Sequence, residues 1–137
     1  MKVSEIARQA EVTAETVRHY VREGLLTPER DPDNDYQVFH ARDLERLKFI
    51  QRARQLGFSV SDIRDILSQA DRGDSPCPLV RDMLAARLPQ IRARIADLEA
   101  LAARMEQAMD SWQAMPDGTP DGHSVCRLIE SFPEEAK

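Results

Sequence analysis

Apolar residues recur through the second half of the sequence at Leu84, Leu88, Ile91, Ile95, Leu98, Ala102, Met105, Met109 and Trp112. The steps alternate between four and three, which is the seam of a heptad repeat. The pattern persists for about four heptads, and a helix of that length spans roughly 50 Å at 1.5 Å per residue. So narrow a stripe cannot be wrapped into a globular core. A partner helix has to cover it, so the pattern predicts a two-stranded coil, parallel or antiparallel, and with it a homodimer. The only two cysteines, Cys77 and Cys126, stand at the two ends of this stretch.

Ahead of the rod the apolar spacing changes. Val3, Ile6, Ala7 and Ala10 mark one face of a short helix. Glu11-Val12-Thr13 interrupts it, and Thr13 is a good N-cap for a second helix carrying Val17, Tyr20 and Val21. Two short helices about a tight turn fit a helix-turn-helix, though a plain helical hairpin has the same signature. In the first reading the second helix enters the major groove and presents Ala14, Glu15, Thr16, Arg18 and His19. Gly24 ends that helix, Glu29 to Asp35 reads as turn chemistry throughout, and Tyr36-Gln37-Val38-Phe39 alternates as a short strand, together resembling a wing. A third helix is predicted over Ala41–Leu56, with Leu44, Leu47, Phe49, Ile50 and Ala53 inward. Its outward face holds Arg42, Arg46, Lys48, Arg52 and Arg54, which ordinary solvation explains but phosphates could also meet. Gly57 closes it, and Ser59 with Asp62 opens a fourth helix through Ile63, Ile66 and Leu67.

The breaker Arg72-Gly73-Asp74-Ser75-Pro76 marks a boundary, so the chain divides at 1–75, 76–115 and 116–137. Cys77 is expected at the N-cap of the rod with Pro78 in the first helical position. Pro89 predicts a kink, Trp112 is expected to close the seam, and the helix should run to Met115 before Pro116. A loop through Gly122 leads to His123-Ser124-Val125-Cys126, a short helix from Arg127, and a frayed tail from Pro133.

Composition narrows the class. The chain has 137 residues with 19 Lys+Arg against 24 Asp+Glu, a net charge of -5, which argues against an indiscriminate polyanion binder. Low aromatic content and abundant Ala, Leu, Arg and Glu favour an all-α chain. No apolar stretch approaches membrane-spanning length, so a cytoplasmic protein without membrane association is expected. In a reducing compartment two cysteines suit free thiols or ligands better than a disulfide.

Ile6-Ala7, Val12-Thr13, Glu15-Thr16-Val17-Arg18-His19-Tyr20, Arg22-Glu23-Gly24-Leu25-Leu26, the Tyr36 turn, Leu44 to Ile50 and Gln55-Leu56-Gly57-Phe58-Ser59 occur in the order that resembles the MerR family of bacterial transcription regulators. The resemblance implies a winged helix-turn-helix domain, an antiparallel coiled-coil dimerisation helix and a short C-terminal metal-binding loop. It implies that the dimer holds a promoter with an over-long spacer and, on binding inducer, bends and untwists it for RNA polymerase. Thr13, Thr16, Arg18 and His19 are then expected at the DNA, with Arg30, Tyr36 and Gln37 at the wing. The family usually carries Arg where Gln37 stands. The short C-terminal part leaves no room for a large ligand domain, and two cysteines cannot hold an iron–sulfur cluster alone.

What remains resembles the metal-sensing branch, not an enzyme. There Cys77 of one subunit reaches the loop of the other, and cysteine at that position is associated with zinc, cadmium, lead and mercury. Cys126 matches the second loop cysteine, while Met115 stands near the place of the first. His123 is the best further ligand, with Asp121 and Asp117 behind it. Two thiolates, an imidazole and a carboxylate or water suit zinc, or cadmium or cobalt. Two thiolates alone suit mercury, and the Met115 thioether leans toward softer ions. A thiol sensor of electrophiles or oxidants is the nearer alternative, and a small metal carrier or metalloenzyme the more distant one.

Overall fold

The computed structural model describes residues 1–134. Six helices and a two-stranded hairpin follow in the order α1 (Val3–Gln9), α2 (Ala14–Arg22), β1 (Glu29–Arg30), β2 (Gln37–Val38), α3 (Ala41–Gln55), α4 (Val60–Asp71), α5 (Cys77–Trp112) and α6 (Arg127–Ser131). They fall into two compact units, one spanning Met1–Arg87 and the other beginning at Leu88.

The first unit is built on a core in which Ile6, Val17, Leu25, Leu26, Phe39, Leu47, Ile50, Ile63 and Ile66 are almost wholly buried. Each such side chain contributes about 1.5–3 kcal/mol relative to exposure. The caps work as the sequence predicts. The Thr13 hydroxyl accepts the Thr16 N–H at 3.1 Å. Ser59 and Asp62 form a reciprocal capping box, at 3.0 Å and 2.9 Å. Gly24 and Gly57 end α2 and α3 with φ of 77° and 92°, a conformation that glycine takes without steric cost. Leu79, Val80 and Met83, on the first turns of α5, pack against this same core. Arg87 donates to Asp62 Oδ2 at 2.7 Å.

Several expectations are corrected. Glu29–Arg30, read as turn, is strand β1, paired antiparallel with Glu29 opposite Val38 and Arg30 opposite Gln37. The turn residues Asp31 to Asp35 close a hairpin that begins earlier than its chemistry suggests. Phe49 does not face inward and is 40% exposed. The buried line of α3 runs Asp43, Leu47, Ile50, Ala53, and a 3.6-residue period puts Phe49 on its flank. Ala14, expected outward, packs partly against the core. Two residues of the outward basic face are tied to backbone carbonyls. Arg46 donates to the Leu25 carbonyl at 2.9 Å and to both Asp71 oxygens at 2.9 and 3.1 Å, and Arg54 donates to the Phe58 carbonyl at 3.0 Å.

Helix α5 starts one residue earlier than expected and stops sooner. The Pro76 carbonyl accepts the Val80 N–H at 2.9 Å, so Cys77 is the first helical residue and Pro76 the cap. At the other end Met115 N–H turns back to the Trp112 carbonyl at 3.1 Å. Pro116 disfavours helical backbone in the residue before it, which accounts for the early end. The helix runs as one element through Pro89. The seam lies open along it, with Ile95 50%, Leu98 60% and Met109 68% exposed. Trp112 is only half-buried; it borders a hollow of about 260 Å³ with Leu101, Ala108, Ile129 and Phe132, so it faces α6 and not only the seam. The end of the tail expected to fray, residues 135–137, lies outside the described residues.

Candidate functional site

Helix α2 owes its orientation to Val17 and Tyr20, which are buried, leaving Thr13, Glu15 and Arg18 exposed and Thr16 and His19 half-buried. The hydroxyls of Thr13 and Thr16 lie 2.9 Å apart, so both are engaged in the cap. Glu15 accepts from Arg22 at 2.8 Å and lies 3.8 Å from Arg18. The Arg22 hydrogen bond, with the charge of the same guanidinium, holds the Glu15 carboxyl below its ordinary range. The His19 ring packs against Tyr20 with centroids 5.6 Å apart.

The hairpin turn is shaped by its own side chains. Asp31 Oδ1 accepts the Asp33 N–H at 2.8 Å, and Asn34 Oδ1 accepts the Tyr36 N–H at 3.0 Å, both Asx turns. Asp35 adopts a left-handed φ of 60°. Arg30 donates to the Asp35 carbonyl at 3.2 Å and to its Oδ2 at 3.1 Å. Tyr36 is 57% exposed, and Lys2 Nζ sits 5.4 Å from its ring centroid; nothing in the sequence spacing pointed to that cation–π contact. Gln37 is half-buried on β2.

The thiols lead two helices. Cys77 is exposed at the start of α5, its N–H 3.4 Å from Ser75 Oγ. Cys126 is half-buried and is the N-cap residue of α6, with φ of -145° and ψ of 112°. His123 and Asp117 are exposed and Met115 half-buried. Asp121 acts as a staple for the loop, since its Oδ1 accepts the N–H groups of His123 at 2.6 Å and Ser124 at 2.8 Å. Met115 Sδ accepts a weak bond from the Ser131 hydroxyl at 3.8 Å. A residue the sequence reading passed over, Glu130, accepts both the Ser124 hydroxyl and the Val125 N–H. Those bonds, the hydroxyl first, lower its carboxyl from the ordinary value. Glu130 follows Cys126 by one helical turn, the only trace of this role in the sequence. Gly118 passes so near Arg127 that a Cβ there would meet its Cδ at 2.7 Å. Among the described residues no three His, Cys, Asp or Glu come together as a metal-binding group. Cys77 belongs to the first unit, and the other candidate ligands to the second.

A helix-turn-helix with a short wing, followed by a long helix with an open apolar seam, defines a DNA-binding transcription regulator of the winged-helix class. A profile described as MerR HTH family regulatory protein matches residues 1–70, and a second, described as MerR, DNA binding, matches residues 44–108. The chain belongs to the MerR family. It is 32% identical to the HTH-type transcriptional regulator ZntR of Escherichia coli K12, over 98% of this chain and 94% of that one. It is likewise 32% identical to the mercuric resistance operon regulatory protein of Shigella flexneri, over 99% and 90% of the two chains. Among solved structures it is similar to a transcription regulator of Ralstonia metallidurans in complex with lead(II), with a TM-score of 0.77 and 26% identity over 97% of this chain and 99% of that one. These relatives are regulators, and the protein is a regulator and not an enzyme. No helix among the described residues is long and apolar enough to cross a membrane.

Proposed function

We propose that the protein is a metal-responsive transcription regulator that works as a homodimer on promoter DNA. In this reading Thr13, Thr16, Arg18 and His19 of α2 and Arg30, Tyr36 and Gln37 of the hairpin meet the DNA. The open seam of α5 packs against a second copy, in antiparallel register. Cys77 of one chain, with Cys126 and His123 of the other, binds a divalent ion, zinc or a related ion such as cadmium, lead or mercury. The observation that carries the reading is the division of ligands. Each thiol stands at the head of its own helix, Cys77 in the first unit and Cys126 with His123 in the second, and the exposed apolar seam of α5 between them calls for a second chain. The mercuric-resistance and lead(II)-bound relatives support a metal as the signal.

The ion would supply a charged crosslink between thiolates on two subunits. The chain's own residues prepare its loop: Asp121 and Glu130 hold the backbone from His123 to Cys126, and Cys126 caps the start of α6. With one Asp121 oxygen already used by two N–H groups, His123 is the better third ligand, and Asp121, Asp117 and Met115 come after it. Crosslinking biases the dimer between two arrangements, and the promoter is bent and untwisted for RNA polymerase in the metal-loaded one.

Anaerobic titration of the reduced dimer with cobalt(II) tests this. Intense sulfur-to-cobalt charge transfer with tetrahedral bands is expected, lost in both Cys77→Ser and Cys126→Ser and altered in His123→Ala. Competition with zinc, cadmium, lead and mercury then ranks the ions. A spectrum of hydrated cobalt alone would overturn the metal reading and leave the exposed Cys77 as a thiol sensor of electrophiles.

A further inference from the structure

We propose that the DNA-facing surface carries its own counter-ions, Glu15 on α2 and Asp35 in the wing, which restrain binding by competing with phosphates for Arg18, Arg22 and Arg30. The inference rests on the assignment of that face made above. It starts from an imbalance: Arg30 is the only lysine or arginine between Glu29 and Ala41, against Glu29, Asp31, Asp33 and Asp35. A wing of that composition repels a polyanion unless Arg30 is available, with Lys2 beside Tyr36 as the further cation at hand.

Arg30 is already engaged. Two bonds, at 3.1 and 3.2 Å, tie its guanidinium to the side chain and backbone of Asp35. Asp35 sits at φ 60°, where aspartate is tolerated but glycine is freer, so the backbone alone does not require a carboxylate there. On α2 one carboxylate serves two arginines, Glu15 lying 2.8 Å from Arg22 and 3.8 Å from Arg18. At the base of the hairpin Glu29 approaches Arg42 at 3.5 Å.

Exposed pairs of this kind are weak in water, so a phosphate can displace the carboxylate from its arginine. The displaced carboxylate nevertheless stays beside the phosphate and cancels part of the gain. Binding to DNA of any sequence weakens, because its free energy comes from phosphates. A site that adds base-edge contacts is weakened in absolute terms but retains its advantage. The counter-ions therefore lower affinity for DNA of any sequence and leave the preference for the specific site intact.

The test measures binding of the full chain across a salt series to two duplexes of equal length. One is selected from a random-sequence pool by the wild-type protein, and the other is an unselected random sequence. Glu15→Gln, Asp35→Asn and the double variant are compared with wild type, and Arg18→Ala serves as control for the face itself. Each neutralised carboxylate is expected to tighten both complexes about three- to tenfold near 0.15 M salt and steepen the log–log salt slope by about one. The random duplex should gain at least as much as the selected one. Unchanged affinity and slope in both carboxylate variants, with Arg18→Ala weakened, would overturn the inference and leave the face standing. If Arg18→Ala binds as wild type, the face itself is misassigned. Loss of the selected duplex alone in Glu15→Gln would show Glu15 reading a base, which also overturns the counter-ion role.

Discussion

At the level of single residues, the helix caps and the ion pairs between distant residues are the most informative positions. Thr13→Ala removes the acceptor for the Thr16 N–H and should cost about 0.5–2 kcal/mol, read as a lower thermal midpoint, while Thr13→Ser stays near wild type. The pair Arg46–Asp71 gives a pH prediction. Its hydrogen bond to Arg46, with the attraction of that charge, lowers the Asp71 carboxyl below its ordinary value. A depressed carboxyl stabilises the fold above its unfolded pKa and loses that contribution as pH falls through the folded one. The difference in urea midpoint between wild type and Asp71→Asn should therefore be present at neutral pH and close in acid. Because Asp71 is mostly exposed, the difference at neutral pH should stay under about 1 kcal/mol.

At the level of elements, the periodic stretches were the legible ones. Val17 and Tyr20 of α2, Ile63, Ile66 and Leu67 of α4 and the heptads of α5 announce themselves through spacing, and Thr13, Ser59, Gly24 and Gly57 announce the ends. Strand β1 did not, because two residues are too few to show alternation and both of its side chains, Glu29 and Arg30, are exposed. The ties of Arg46 to Asp71 and Arg87 to Asp62 join residues 25 apart, and no local pattern reports such pairs. For the proposed metal site, the sequence offers candidate ligand types, Cys77, Cys126 and His123. It could not disclose that Asp121 and Glu130 spend their oxygens on the loop, since that depends on how residues 121–130 turn back on themselves. Pro89 is the testable element feature. It lacks the N–H that would reach the Ala85 carbonyl, so Pro89→Ala should stabilise α5 by up to about 3 kcal/mol, measured as a higher midpoint for loss of helical circular dichroism.

At the level of the whole molecule, the open seam decides the state of assembly. Ile91, Ile95 and Leu98, between 46 and 60% exposed, would leave a continuous apolar stripe in water if the chain stood alone, beyond what monomers ordinarily tolerate. Sedimentation should find a dimer at micromolar concentration, with Ile95→Asp shifting it to monomer and abolishing tight binding to the selected duplex. A wild-type protein that stays monomeric would remove the basis for a site shared between subunits. The sole tryptophan has a further consequence. Trp112 lies where α5 meets α6, its indole nitrogen buried with no hydrogen-bond partner among the described residues. Tryptophan emission, excited at the red edge where Tyr20 and Tyr36 do not absorb, therefore originates at one known place, beside the helix that Cys126 begins. Emission wavelength and quenching report the polarity of that place alone, so the protein carries an unlabelled optical gauge of whether metal, DNA or a second chain is felt at the end of the rod.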